Sequence, residues 1–203
     1  MNIAIIVITS LISIYALYNR EVFDRMKFNA HAIKHFGQGW RFFSYGLIHA
    51  DWMHLLVNMF VLYSFGKVVL EAFTFYFDTK GYLFYLLLYV GGIVFSVLFD
   101  FGKYKDDIYY NAVGASGAVS AVLFSSIILY PTSSLYLMFI PFPLPAAVFG
   151  VLYLIYSAVM AKRANDNIGH NAHFWGAVFG VVFTIAIKPG LATEFVNQIR
   201  TLF

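Results

Sequence analysis

Four polar side chains in an otherwise apolar sequence have types and spacings that suit acyl transfer. Ser116 sits in Val113-Gly114-Ala115-Ser116-Gly117-Ala118, where a polar stretch gives way to an apolar helix. A serine in the first turn of a helix has backbone N–H groups beside it that lack an intrahelical acceptor, and such groups can hold a developing oxyanion. Gly114 and Gly117 let the backbone turn sharply and let a neighbour come close. His173 opens another apolar segment, and a histidine in contact with a serine hydroxyl makes a base and its nucleophile. An imidazole, with an ordinary pKa of about 6.5, is poised to take that proton at neutral pH. His54 and Asn58 are four residues apart, so on a helix they share one face. A plainer reading stands beside this one: Gly117 with Ala121 is a small-xxx-small packing pair, and a membrane Asn often serves only as interhelical glue.

The composition says what must position these groups. Of 203 residues, 61% are hydrophobic, 20% aromatic and 11% charged, with a mean hydropathy of +0.76. That charge content is less than half the roughly 25% of a soluble domain, so the chain reads as a polytopic membrane protein. With no cysteine there is no disulfide framework, thiol nucleophile or Cys-ligated metal. The net charge of +3 fits loops beside anionic lipid, and no basic tract with interleaved aromatics suggests nucleic acid.

A spanning helix needs about 20 mainly apolar residues, fewer where protein shields it. Six segments meet this: Ile3 to Tyr18, Met53 to about Phe73, Tyr82 to Phe99, Ser116 to Tyr130, about Leu144 to Met160, and Asn171 to Ile187. The first has no basic leader or small-residue cleavage site and is read as a retained helix. The second is expected to end through Lys67 and Glu71, and the third to receive a neighbour at Gly91-Gly92. The short fourth helix should begin inside the bilayer, below a dipping loop from Asp100 to Val113. Pro141, Pro143 and Pro145 lead into the fifth, and Leu191 to Phe203 suits a short amphipathic surface helix. Between the first two helices, Arg20 to Asp51 mixes charge with many aromatics, as in a structured segment at the interface. The expected fold is therefore all-α, one six-helix transmembrane domain over residues 1–203 with a structured first loop at about 20–51.

Helices two, four and six run in the same direction, so their starts share one side of the membrane. Parity thus gathers His54, Asn58, Ser116 and His173 at one end of the bundle. Ionisable residues inside a membrane are costly and mark function by default. His173 shares its face with Gly176 and Gly180, which would let the sixth helix approach the Gly117/Ala121 face of the fourth. No acid sits in an apolar segment beside His173, and Asp166 is about two turns earlier in a loop. A Ser–His dyad is the economical model, because a third carboxylate mainly fixes tautomer and stabilises imidazolium.

Trp40-Arg41, then His49-Ala50-Asp51-Trp52-Met53-His54-Leu55-Leu56-Val57-Asn58-Met59, then Gly114-Ala115-Ser116-Gly117, then Ala172-His173 with Gly176 and Gly180 together resemble the rhomboid intramembrane serine proteases. The resemblance spans roughly Trp40 to Gly180 and keeps motif order. It implies a six-helix bundle that cleaves transmembrane segments of other proteins in the lipid bilayer, without a cofactor or metal. Ser116 would be the nucleophile and His173 the general base. His54, Asn58 and the Ser116 backbone N–H would form the oxyanion hole, and Trp40-Arg41 a structural motif of the first loop. A bacterial cytoplasmic membrane is the expected location, and the oligomeric state is not legible.

Two positions depart from the family pattern. Members often carry an aromatic four residues after the nucleophile, against which the catalytic histidine packs, whereas this chain has Ser120. Phe174 or a neighbouring helix would then have to hold His173. Trp175 is bulkier than the residue usual there, and at i+2 it should face away from Ser116. Orientation is also in tension: the family's cytoplasmic amino terminus puts nine Lys and Arg outside and four inside, against the positive-inside rule. Two other functions compete with this one. A metal or haem carrier could use His49, His54, His170 and His173, although His49 and His170 read better as interfacial residues and no acidic ligand accompanies them. An inactive rhomboid-like chaperone or trafficking factor would keep the fold, but such proteins typically lose the serine or the histidine.

Overall fold

A computed structural model describes residues 1–136, 142–163 and 169–201. Helix α1 (Asn2–Tyr18) is followed by three short helices of the first loop, α2 (Arg20–Met26), α3 (Ala30–Phe36) and α4 (Arg41–Ser44), and a 3-10 turn at Tyr45–Leu47. Then come α5 (Trp52–Phe77), α6 (Lys80–Tyr104), α7 (Ser116–Leu129), α8 (Ala146–Arg163), α9 (His170–Ile187) and α10 (Gly190–Arg200). The result is a helical membrane bundle: α5, α6, α8 and α9 are long and apolar enough to cross a bilayer, while α1 and α7 are shorter apolar helices.

Helix α7 is the axis of the bundle. It is buried all round: every residue from Gly117 to Leu129 is buried, its serines included. At about 1.5 Å per residue its 14 residues are too short for the roughly 30 Å hydrocarbon core. Its neighbours approach through small residues. A Cβ on Gly92 of α6 would come within 2.9 Å of Ala118 and Ala121 on α7, and Gly91 is filled by the Phe179 ring of α9. Farther along, Thr184 of α9 donates to the Ser125 hydroxyl of α7 at 2.8 Å.

The first loop is held by side chains at its turns. Asn19 caps α2 through the Val22 N–H, Asn29 caps α3 through the Ala32 N–H, and α3 ends on left-handed Gly37. Buried Arg41 donates to the carbonyls of Asp24 and Lys27 at 3.1 and 2.6 Å, tying α2 to α4. The loop is also paired to the segment before α7: Phe28 and Ala112 exchange backbone hydrogen bonds, and the Asn29 amide donates to the Ile108 and Tyr110 carbonyls.

Several boundaries differ from those expected. Helix α5 continues past Lys67 and Glu71 to Phe77, because those two exposed side chains face each other at i, i+4 and place no charge in the core. Helix α6 continues past Phe99 to Tyr104, so Asp100 lies within a helix and not in a loop. Leu144 and Pro145 do not start α8; they pair with Ser134 and Leu135 as a two-residue antiparallel ribbon. Pro141, Asp166 and the final residues Leu202 and Phe203 lie outside the described residues. Helix α10 has its polar and apolar residues on opposite faces and buries Leu191.

Candidate active site

Gly114 adopts φ +113°, a conformation that favours glycine, and turns the chain into α7. The turn hangs from the first loop by two backbone donors. Gly114 N–H donates to the Tyr45 carbonyl at 3.0 Å, and Ala115 N–H donates to His49 Nε2 at 3.3 Å. Helix geometry leaves the following amides, those of Ser116, Gly117 and Ala118, without an intrahelical acceptor. The N-cap residue of α7 is Ala115, which makes no side-chain cap hydrogen bond. Ser116 itself is half-buried at the end of this otherwise sealed helix.

Helix α9 meets α7 at the same level. A Cβ on Gly117 would lie 3.4 Å from the Ala172 carbonyl oxygen. A Cβ on Gly176 would overlap the Gly117 carbonyl, and one on Gly180 the Ala121 carbonyl. The face of α9 that carries His173, Gly176 and Gly180 is therefore the face against α7, with the first turn of α9 beside the first turn of α7. His173 is half-buried. Its ring stacks on Tyr153 of α8, with centroids 6.3 Å apart and planes 27° apart. Trp175 turns to the other side and stacks on Phe99 of α6.

His54 starts α5, whose N-cap Asp51 accepts the His54 N–H at 2.8 Å. Its imidazole lies against Gly114, where a Cβ would come within 2.7 Å of Nε2. Glycine at 114 is thus required twice, by φ and by the histidine. Asn58, one turn on, is buried and donates to the His54 carbonyl at 2.9 Å. One of its two N–H groups is occupied within its own helix. Trp40 is exposed, and Arg41 makes its hydrogen bonds within the first loop.

His49 and His170, read from the sequence as interfacial residues, are both buried inside the protein. His49 is fully buried, with Nδ1 3.2 Å from the Ser13 hydroxyl of α1. Since Nε2 accepts from Ala115, Nδ1 carries the proton and donates to Ser13. Burial first, then the His54 ring 5.0 Å away, push the His49 imidazole down to about 3, with Asp51 opposing. The folded value lies below the ordinary one, so the unfolded chain binds more protons in this window. Stability is thus fully present above about pH 6.5 and is lost as pH falls towards about 3, by up to ~1.4 kcal/mol per pH unit. Detergent melting between pH 7 and pH 4 should fall steeply for the wild type and less steeply for His49→Gln; parallel curves would remove His49 as the sensitive group. His170 is also buried, edge-on to Tyr156 and 6.0 Å from the His173 ring. Among the described residues no three His, Cys, Asp or Glu side chains converge as a metal site.

Sequence reasoning also missed Asp100. It is buried near the end of α6, accepts the Tyr110 hydroxyl at 2.6 Å, and accepts the Asn171 amide from the first turn of α9. Burial and the adjacent carboxylate push the Tyr110 phenol well above its ordinary value, so it serves as a donor. This clasp joins α6, the segment before Ser116 and the start of α9. Its only sequence signal was an acid directly after an apolar run.

A family model for the Rhomboid domain matches residues 36–189. The chain is also 31% identical over 150 residues to RHOMBOID-like protein 12, mitochondrial, of Arabidopsis thaliana. That match covers 70% of this chain and 44% of the relative, so the chain spans under half of the relative's length. The matched region contains the first-loop motif, the His54/Asn58 turn, the Ser116 turn and the α7–α9 contact, and the chain belongs to the rhomboid family.

Proposed function

We propose that this multi-pass membrane protein is an intramembrane serine endopeptidase that cleaves transmembrane segments of other membrane proteins. The six spans are α1, α5, α6, α7, α8 and α9, forming one domain with the structured first loop. The observation that carries the reading is the apposition of the first turns of α7 and α9 around Gly117, at the end of the bundle where His54 rests on Gly114. Ser116 attacks the scissile carbonyl and His173 takes its proton, then returns it to the leaving amine. The Ser116 N–H, His54 and Asn58 receive the oxyanion, each donor contributing roughly 2.7–4 kcal/mol at the transition state. No cofactor takes part. The named relative is mitochondrial, which lends no support to the bacterial cytoplasmic membrane expected from the resemblance.

A fluorophosphonate probe tests the reading directly. Labelling of the wild type and not of Ser116→Ala is the expected result; absence of labelling in both would make the chain a non-proteolytic member of its family. Asn58 has its own test, because packing alone would also explain its burial. As an oxyanion donor it acts mainly in the transition state, so Asn58→Ala should lower kcat about a hundredfold with little change in KM. Near-normal kcat with a large drop in melting temperature would reduce Asn58 to a packing residue.

A further inference from the structure

We propose that Tyr153 of α8 is the positioning residue for the His173 imidazole, replacing an aromatic that would otherwise stand on α7 at position 120. The inference rests on the dyad reading above. Helix α8 is the least buried of the four long apolar helices; it buries Ala146, Gly150 and Ser157, and Phe149, Tyr153 and Leu154 pack on the bundle from the same face. Gly150 seats on Ile127 and Phe124 of α7. Tyr153 is the side chain of that face that reaches His173 in the first turn of α9. Its ring packs on Phe124 and Phe149 and stacks on His173. Its hydroxyl meets the Ser120 hydroxyl at 2.7 Å, and Ser120 is buried.

Both ends of the tyrosine are thereby fixed. With Ser120 buried and Tyr153 half-buried, the hydroxyl pair selects one rotamer and one depth for the ring. The ring then offers a flat apolar wall to one face of the imidazole, leaving its edge nitrogens for proton transfer. The Ser120 and Tyr153 hydroxyls already meet at 2.7 Å, so a larger residue at position 120 would collide with Tyr153 where it now lies.

The test compares purified full-length variants on a model transmembrane substrate, with Ser116→Ala alongside. Tyr153→Phe keeps the ring and loses the anchor; kcat should fall only a few fold. Tyr153→Leu keeps apolar bulk and loses the flat wall; kcat should fall about a hundredfold with KM within about twofold. Ser120→Tyr combined with Tyr153→Ala moves the ring back to α7 and should recover at least tenfold over Tyr153→Ala. Equal kcat for the Phe and Leu variants, both near wild type, overturns the proposal, since packing alone would then suffice. Cleavage by Ser116→Ala would instead overturn the nucleophile assignment. If the wild type cleaves nothing, the protease reading has failed and the contact is judged by NMR of the His173 ring carbons. Those signals should broaden in Tyr153→Leu and stay sharp in Tyr153→Phe; sharp, unshifted signals in both defeat the proposal.

Discussion

Ser116→Ala and His173→Ala should each lower kcat for a transmembrane substrate by at least about 10⁴-fold, and the double variant should be scarcely worse than either. Groups that act as a unit fail together, because a base without its nucleophile has nothing to activate. Both variants should fold. Ser116 is half-buried at the mouth of α7, and removing its hydroxyl leaves the Gly114 and Ala115 hydrogen bonds to Tyr45 and His49 in place. His173→Ala removes a ring from Tyr153 but keeps the Gly176 and Gly180 contacts that dock α9. Cleavage kinetics and detergent melting on the same samples separate chemistry from stability. Additive losses in the double variant would show that the two residues act independently and would sink the dyad.

The bundle was largely legible because its signals are local. Apolar runs, helix parity and the Gly176/Gly180 spacing all follow from helix geometry, and together they predict which ends meet. What sequence reading missed was long-range. Asp100 looked like a helix stop because a charge after an apolar run usually is one; here Tyr110 and Asn171 satisfy it, and α6 carries on. His49 looked interfacial because nothing near it in sequence hides it; its cover comes from Ser13 of α1 and the Ala115 amide. Leu144 and Pro145 looked like the entry to a helix, but their partners are Ser134 and Leu135, about ten residues back. Tyr153 gave no signal at all, since its value depends on how α8 crosses α7 and α9. Position 120 raised the question of what holds His173, and only the three-dimensional arrangement answers it.

The second large effect concerns a residue that does no chemistry. Gly176→Ala adds one methyl group, yet that methyl would land on the backbone of Gly117, well inside the ~3.5–4.0 Å of ordinary contact. Helix α7 cannot retreat, because Gly92 of α6 already presses on Ala118 and Ala121. The strain must therefore be relieved by α9 moving outward, and such overpacking costs about 1–3 kcal/mol. His173 lies one turn from the clash and would move with the helix. A misplacement of about 1 Å at a reacting group is enough to cost roughly a hundredfold in rate. Gly176→Ala should accordingly lower both melting temperature and kcat, and Gly180→Ala, one turn farther from the dyad, should destabilise similarly with a smaller loss of rate. Gly102→Ala in α6 is the control: nothing lies within 4 Å of its added methyl, and a helical Gly→Ala change should stabilise by about 0.5–1 kcal/mol. If Gly176→Ala melts and cleaves like the wild type, the close approach of α9 to α7 is not what positions His173 for the proposed dyad.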